Sequence, residues 1–309
     1  MKRFGLSPSG PAEPKEHSAS ERTGRFGLIG HPVAGSFSPK LFEAAYGGRY
    51  PYDLLEGAEF GASWQRFLDE YDGINITAPF KQDAYRAVDA LSDDARLCGA
   101  VNLAVKTPAG IVGYNTDVAG VVLAVREALA GLASPGPQPV IPGLTGNLLK
   151  EALVVGCGGA GRAAAVAALR LGCRVTLANR TPSRAAALAD DLNAQLAPIG
   201  TSIDTPIGTA SNETAGAAGS RPCCAWVPVE DLPALSPDLV IYTVPGPMDG
   251  FPEFPGAIIL EANYRTPCLE GRGKVYISGR RWLLFQAVAG YEIFTGETPD
   301  AGAMFQIFC

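Results

Sequence analysis

The chain has 309 residues, of which 47% are hydrophobic and 18% charged, and its net charge is −6. This composition is typical of a globular protein with room for two modest domains, and the acidic balance without a basic stripe argues against a nucleic-acid binder. No apolar run reaches the roughly 18 residues that span a bilayer. Residues 1–24 are polar and rich in Pro and Ser, and we predict a disordered lead-in rather than a signal peptide.

The seven cysteines are odd in number and form no Cys-x-x-Cys pair. A disulfide framework or a zinc site is therefore not expected, and we predict no metal site. Free cysteines are typical of a reducing compartment, which predicts a cytoplasmic protein.

Strand and helix patterns alternate through the first part of the chain. The alternation predicts an α/β unit with a mostly parallel sheet and right-handed crossovers. The predicted strands are residues 25–30, 52–56, 73–77, 100–105 and 110–115, and the predicted helices are residues 39–46, 58–71, 80–88 and 117–132. A Pro- and Gly-rich stretch at 134–146 separates this unit from the next one.

Residues 151–181 carry a strand, a glycine-rich turn, an alanine-rich helix and a second strand. Gly156, Gly158 and Gly161 have G-x-G-x-x-G spacing. The first permits a tight turn, the second lets the backbone approach a pyrophosphate, and the third lets the helix and strand pack closely. The amino end of the helix favours an anion. The dinucleotide contacts predicted here are Gly156, Gly158, Gly159, Ala160 and Gly161.

The end of the second strand indicates which dinucleotide binds. An NAD site usually has an acid at this point, whereas this chain has Asn179, Arg180 and Thr181. A guanidinium can hold a 2′-phosphate through paired charge-assisted hydrogen bonds, so Arg180 favours NADP as the cofactor. Thr181 and Pro182 have the residue types of an N-cap and a first helical position, which predicts a helix over residues 183–196.

The remainder of the chain continues the α/β pattern. Residues 198–222 are rich in Gly, Ala, Ser and Thr, and we predict a surface insertion there. Strands are predicted at 238–244, 257–261 and 274–278, and a final amphipathic helix at 280–294.

Several motifs occur in one order, and together they resemble the shikimate dehydrogenase family from residue 25 to the C-terminus. The motifs are GHPVAGSFSP (30–39), NITAPFK (75–81), GAVN (99–102), GYNTD (113–117), GCGGAG (156–161), NRT (179–181) and a late G-x-x-x-L-x-x-Q (279–286). The resemblance implies an N-terminal α/β substrate domain (25–117, joined by C-terminal helices at 284–309), a Rossmann NADP-binding domain (118–283) and a cleft between them. It also implies NADPH-dependent, reversible reduction of 3-dehydroshikimate to shikimate, a step toward aromatic amino acids, by a monomer or homodimer.

By this resemblance Lys81 and Asp117 are the catalytic acid–base pair. The residue types fit, because ketone reduction needs a proton donor near the carbonyl oxygen and the reverse reaction needs a base. Both residues follow predicted strands, at the end where α/β proteins bind ligands.

The resemblance also implies the residues that bind the substrate. Ser36 and Ser38 would bind its carboxylate, and their spacing predicts that both hydroxyls point to the same side of an extended stretch. Neutral polar side chains suit the hydroxyls of a polyol. The other substrate residues implied are Asn75, Thr77, Asn102, Tyr264 and Gln286, and Gly279 is implied to lie close to the nicotinamide.

The chain departs from the family pattern at Gly35, where a histidine usually precedes the first serine, and at 243–248, where the cofactor-contacting segment is usually rich in Asn and Thr. Three alternatives stay open. One is a quinate/shikimate dehydrogenase acting on a related cyclic hydroxy acid, and another is a catalytically inactive NADP-sensing protein. The third, a glutamyl-tRNA reductase-like fold, needs a nucleophilic cysteine, and Cys98 is the candidate in the first domain.

Overall fold

The computed structural model describes residues 24–133, 149–197 and 223–308. The predicted lead-in (apart from residue 24), the stretch at 134–146 and the predicted insertion at 198–222 lie outside these residues. The described chain forms two six-stranded sheets with helices packed against them. None of its helices combines the length and the hydropathy that crossing a membrane requires.

The first sheet contains the strands β1 (Phe26–Gly30), β2 (Tyr52–Glu56), β3 (Gly73–Ile76), β4 (Ala90–Leu91), β5 (Leu103–Thr107) and β6 (Gly110–Tyr114). Their order is β2-β1-β3-β5-β6-β4. β1 pairs in parallel with β2 and β3, as β4 does with β6, which fits the mostly parallel sheet that we predicted. The β3–β5 and β5–β6 pairings are antiparallel. Because only residues 108–109 join β5 to β6, the two strands form a hairpin with no room for a crossover helix.

The helices of this half are α1 (Ser38–Tyr46), α2 (Phe60–Glu70), α3 (Lys81–Ala87) and α4 (Asp93–Cys98). The first three lie where the sequence predicted helices, whereas β4 and α4 were not predicted. α4 has six residues, too few for a periodic apolar pattern, and it begins at a cap in which the Ser92 hydroxyl accepts a hydrogen bond from the Ala95 N–H at 3.2 Å.

The second sheet is parallel throughout. Its strands are β7 (Glu151–Val155), β8 (Arg174–Ala178), β9 (Cys224–Val227), β10 (Leu239–Tyr242), β11 (Phe254–Glu261) and β12 (Gly273–Ser278), in the order β12-β11-β10-β7-β8-β9. The helices α6 (Gly159–Arg170) and α7 (Pro182–Leu196) follow β7 and β8 as predicted. β9 was not predicted, because it is a four-residue edge strand whose Trp226 is 43% exposed.

Three helices complete the described chain, α5 (Thr116–Ala133), α8 (Gly279–Thr295) and α9 (Ala301–Gln306). α5 packs against both α6 and α8, and α8 and α9 return to α1 of the first half. The approach of α5 to α8 is close, since a Cβ at Gly120 would lie 2.7 Å from Cδ1 of Trp282. The start of α5 is thereby held beside α8, which places the residues around Asp117 next to the C-terminal part of the chain.

Candidate active site

A cavity of about 460 Å³ lies where elements of both halves meet. Its walls come from the segment after β1, from β3 and the start of α3, from the start of α5, and from α8 together with the loop after β11. Every residue predicted to act in catalysis or to bind the substrate lines it, namely Ser36, Ser38, Asn75, Thr77, Lys81, Asn102, Asp117, Tyr264 and Gln286. Ala160 and Gly279 of the predicted cofactor set line the same cavity.

Lys81 and Asp117 form an ion pair at the wall of this cavity. The distance from Lys81 Nζ to Asp117 Oδ2 is 2.5 Å, and the two side chains are 30% and 17% exposed. Lys81 begins α3, and Asp117 lies in the first turn of α5, where the helix dipole stabilises a carboxylate. The indole N–H of Trp282 donates to the main-chain oxygen of Asp117 at 2.9 Å. The main chain of Asp117 is therefore held by α8, and both residues of the pair line the cavity.

Asn102, Thr116 and Gln286 form a hydrogen-bond network next to Asp117, in which Asn102 and Thr116 are buried and Gln286 is half-buried. The Thr116 N–H donates to Asn102 Oδ1 at 2.8 Å, the Asn102 amide donates to the Thr116 hydroxyl at 3.1 Å, and that hydroxyl lies 3.2 Å from Gln286 Oε1. Hydrogen-bonded side chains with little exposure keep one rotamer, so Asn102 and Gln286 line the cavity in fixed positions. The sequence analysis did not single out Thr116, although it lies within the GYNTD motif.

Asn75 is held by residues of the first sheet. Its Oδ1 accepts a hydrogen bond from the Tyr52 hydroxyl at 2.8 Å, and its amide lies 3.4 Å from the main-chain oxygen of Asn102. The sequence analysis also missed Tyr52, because only the pairing of β2 with β1 and of β1 with β3 brings it near Asn75.

Ser36 and Ser38 place their hydroxyl oxygens 3.1 Å apart, as a shared carboxylate site would require. The predicted cause of this proximity, alternation along an extended stretch, was wrong. The stretch is a turn rather than a strand, since Phe37 has φ −77° and ψ −13° and precedes the first residue of α1. The Ser36 hydroxyl also accepts a hydrogen bond from the Ser38 N–H at 3.2 Å. The turn therefore brings the two hydroxyls together, which is the result that alternation along a strand was predicted to give.

The glycine-rich turn is tightly packed at Gly161 and open at Gly158. Gly156 has φ +99°, which favours glycine, and a Cβ at Gly161 would overlap the carbonyl oxygen of Gly156. A Cβ at Gly158 would meet no atom of the described residues within 4 Å, so the backbone there is open to a ligand at the start of α6. The Thr243 hydroxyl donates to the Val155 carbonyl oxygen at 2.9 Å and braces this turn.

The segment after β8 lies beside that turn. Asn179 Oδ1 accepts a hydrogen bond from the Cys157 N–H at 3.3 Å, which ties the segment to the turn. Arg180 is exposed and has no ion pair with any residue that the structure describes. Thr181 takes the N-cap position of α7 without a side-chain hydrogen bond, and α7 begins at Pro182 rather than at residue 183. Arg180 is thus free to meet an anion at the edge of the turn.

Gly279 starts α8 where the chain passes close to the loop after β11. A Cβ at this position would overlap the carbonyl oxygen of Ala262. Close packing therefore requires glycine here. Gly279 also lines the cavity.

Glu261 anchors the loop after β11, and sequence reasoning did not find it. The side chain is fully buried and accepts hydrogen bonds from the N–H groups of Cys268 at 2.9 Å and Leu269 at 3.0 Å and from the Tyr276 hydroxyl at 3.0 Å. A buried carboxylate with several donors fixes the backbone that supplies them. The loop that carries Tyr264 is therefore held in one position.

Cys98 does not have the environment of a nucleophile. Burial raises the pKa of its thiol well above the usual range, and the nearby Asp117 carboxylate adds to the effect. Reactive cysteines need the opposite shift of the pKa, so this alternative function is disfavoured. The described residues contain no cluster of His, Cys, Asp and Glu that could hold a metal ion.

Comparison with known proteins shows to which family this chain belongs. Residues 28–104 match a family model described as the shikimate dehydrogenase substrate binding domain. A protein of Rubrobacter xylanophilus named shikimate dehydrogenase (NADP(+)) is 35% identical over 91% of this chain and 94% of its own length. The chain belongs to the shikimate dehydrogenase family. Another member, from Acidiphilium cryptum, is 33% identical over 88% of this chain and 91% of its own length.

Solved structures of the shikimate dehydrogenase family have the same fold. The Thermus thermophilus shikimate 5-dehydrogenase, crystallised with NADP(H) and shikimate, is 26% identical with a TM-score of 0.69, covering 92% of this chain and 97% of that one. A quinate dehydrogenase of Corynebacterium glutamicum in complex with NAD has a TM-score of 0.71 at 24% identity, covering 93% and 98% of the two chains, a likeness of fold alone. The predicted family and fold class are confirmed.

Proposed function

We propose that this protein catalyses the reversible, NADPH-dependent reduction of 3-dehydroshikimate to shikimate in aromatic amino acid biosynthesis. The observation that carries the proposal is the Lys81–Asp117 ion pair, which faces a cavity lined by neutral hydrogen-bonding side chains. The glycine-rich turn reaches the same cavity through Ala160. Relatives at 35% and 33% identity that carry the name shikimate dehydrogenase (NADP(+)) support this choice of substrate and cofactor.

In this proposal Lys81 moves the proton. Bound NADPH supplies the hydride to the carbonyl carbon. The ammonium of Lys81 gives a proton to the carbonyl oxygen, so that the ketone gains one hydride and one proton and becomes a secondary alcohol. In the reverse direction the neutral amine takes the hydroxyl proton. Asp117 orients the amine across the 2.5 Å contact, and Trp282 holds Asp117 through its main chain.

Binding of the substrate is shared by two groups of side chains. Ser36 and Ser38 are assigned to the carboxylate, because two adjacent hydroxyls can donate to its two oxygens. The ring hydroxyls are assigned to neutral polar residues, namely Asn75, Thr77, Asn102, Tyr264 and Gln286. A site built from buried donors and acceptors rejects analogues that lack the hydroxyls, because its own groups would be left unpaired.

The proposal also assigns segments of the chain to the two ligands. Residues 25–117 with the C-terminal helices at 284–309 would form the substrate-binding part, and 118–283 the NADP-binding part. The contacts of α8 and α9 with α1 support this division. We place the enzyme in the cytoplasm, because the six cysteines in the described part of the chain are free, which fits a reducing compartment. From the family resemblance we propose a monomer or homodimer.

The function is tested by following NADPH absorbance with purified protein. Shikimate and quinate would each be offered with NADP and with NAD. Reduction of NADP by shikimate is the expected result. Preference for quinate would move the assignment to a quinate/shikimate dehydrogenase, and NADPH binding without turnover of either acid would indicate a sensor.

Arg180→Asp tests the cofactor. We expect the Kd for NADPH to rise about 10-fold or more, because a charge-assisted hydrogen bond to the 2′-phosphate is lost and a like charge replaces it. The Kd for NADH, which has no 2′-phosphate, should change little. Both values are measured by nucleotide fluorescence, with Arg66→Asp on α2 as a variant of equal charge change far from the turn. An equal loss for the two nucleotides would contradict the 2′-phosphate assignment.

A further inference from the structure

Arg265 is a cation on the cavity wall that the proposed reaction does not use. Of the residues that line the cavity, Lys81 and Arg265 are cationic and Asp117 is anionic. Lys81 is paired with Asp117, whereas Arg265 is exposed and forms no ion pair within the described ranges. The cavity therefore carries one positive charge in excess, and that charge belongs to Arg265.

The guanidinium of Arg265 lies beside the segment that carries the two serines. Its Nη2 is 3.8 Å from where a Cβ on Gly35 would stand, and Gly35 directly precedes Ser36. This is an ordinary van der Waals distance, so the guanidinium lies next to the residue that precedes Ser36. The neighbouring Tyr264 packs edge to face on Phe37, with ring centroids 6.3 Å apart. Two successive residues of the loop after β11 thus reach the segment around Ser36 and Ser38.

The loop presents Arg265 from a fixed backbone. Asn263 Oδ1 accepts hydrogen bonds from the N–H groups of Arg265 at 3.3 Å and Thr266 at 3.2 Å, and the Asn263 amide donates to the Thr266 carbonyl at 2.9 Å. Glu261 holds the other side of the loop. A backbone fixed in this way reduces the entropy that ordering the side chain costs when a ligand binds.

We infer that Arg265 binds the substrate carboxylate beside Ser36 and Ser38, and so determines the preference for an acid over its uncharged analogue. The inference rests on the proposed function and deepens it. A guanidinium matches a carboxylate through two parallel hydrogen bonds, which hydroxyl groups alone do not supply. Because the carboxylate does not change in the reaction, this contact strengthens binding of substrate and transition state equally and acts on KM.

The test compares Arg265→Gln with the wild type on shikimate and on shikimate methyl ester, which has no charge. For shikimate we expect KM to rise about 10-fold with kcat nearly unchanged, a modest effect because the guanidinium is exposed and screened. For the ester the two proteins should have equal KM values. Arg265→Lys should fall between them, and Arg66→Gln, which removes the same charge on α2, should behave as the wild type.

Added salt gives a second readout. The KM of the wild type for shikimate should rise with ionic strength more steeply than that of Arg265→Gln. An equal rise in KM for acid and ester, or a rise confined to the KM for NADP, overturns the inference. Wild-type turnover of shikimate with no effect of Arg265→Gln overturns this inference and leaves the proposed function intact. A wild type that neither turns over shikimate nor binds it by calorimetry overturns both.

Discussion

Lys81→Ala is expected to lower kcat for shikimate oxidation by about 10²-fold or more, the usual effect of losing a positioned acid–base group. NADPH binding should be unchanged, because Lys81 lies on the first half of the chain, at the start of α3, and the glycine-rich turn lies on the second. The measurements are initial rates at saturating shikimate and NADP, and the Kd for NADPH from nucleotide fluorescence. An unchanged rate would remove Lys81 from the mechanism.

Lys81→Arg is the matched control, since it separates charge from proton transfer. A guanidinium can still pair with Asp117, but it stays protonated at any working pH and cannot act as a base. We therefore expect this variant to be nearly as slow as Lys81→Ala in the direction of oxidation. If it kept most of the activity, the pair would act through its charge alone, and the assignment of Lys81 as the proton carrier would be wrong.

The second half of the fold could be predicted in detail because its signals are local. The run from β7 to α7 alternates an apolar strand, a glycine turn and an alanine-rich helix, and each element is specified by its own residues. β9 and α4 were missed for the opposite reason. Their four and six residues hold no periodic pattern, and they form because neighbouring strands or a cap stabilise them.

The site could be predicted as far as its motifs extend. Lys81 and Asp117 are 36 residues apart and still meet, because both follow strands of one sheet at the end where the cavity lies. Glu261 and Arg265 could not be found in this way. Their roles depend on hydrogen bonds within a loop and on its approach to Gly35, and neither has a sequence period or a motif. Long-range contacts of this kind become visible only in the fold.

Gly158→Ala and Gly161→Ala should separate ligand contact from packing within one turn. Gly161→Ala forces a methyl group onto the Gly156 carbonyl oxygen, so the backbone must shift. Overpacking of this kind costs about 1–3 kcal/mol or more, and we expect a lower free energy of unfolding together with weaker NADPH binding. Denaturant unfolding measures the first quantity and nucleotide fluorescence the second.

Gly158→Ala should weaken NADPH binding without lowering stability. Gly158 has φ −83° and open space around its Cβ position, so alanine should fold there with little change in stability. The methyl group would stand where the backbone must approach a pyrophosphate, and we expect the Kd for NADPH to rise about 10-fold, equivalent to about 1.4 kcal/mol. If Gly158→Ala bound NADPH as tightly as the wild type, the pyrophosphate could not lie over this turn, and the glycines would serve packing alone. Loss of affinity without loss of stability at Gly158, against loss of both at Gly161, is the pattern that a nucleotide seated on the amino end of α6 requires.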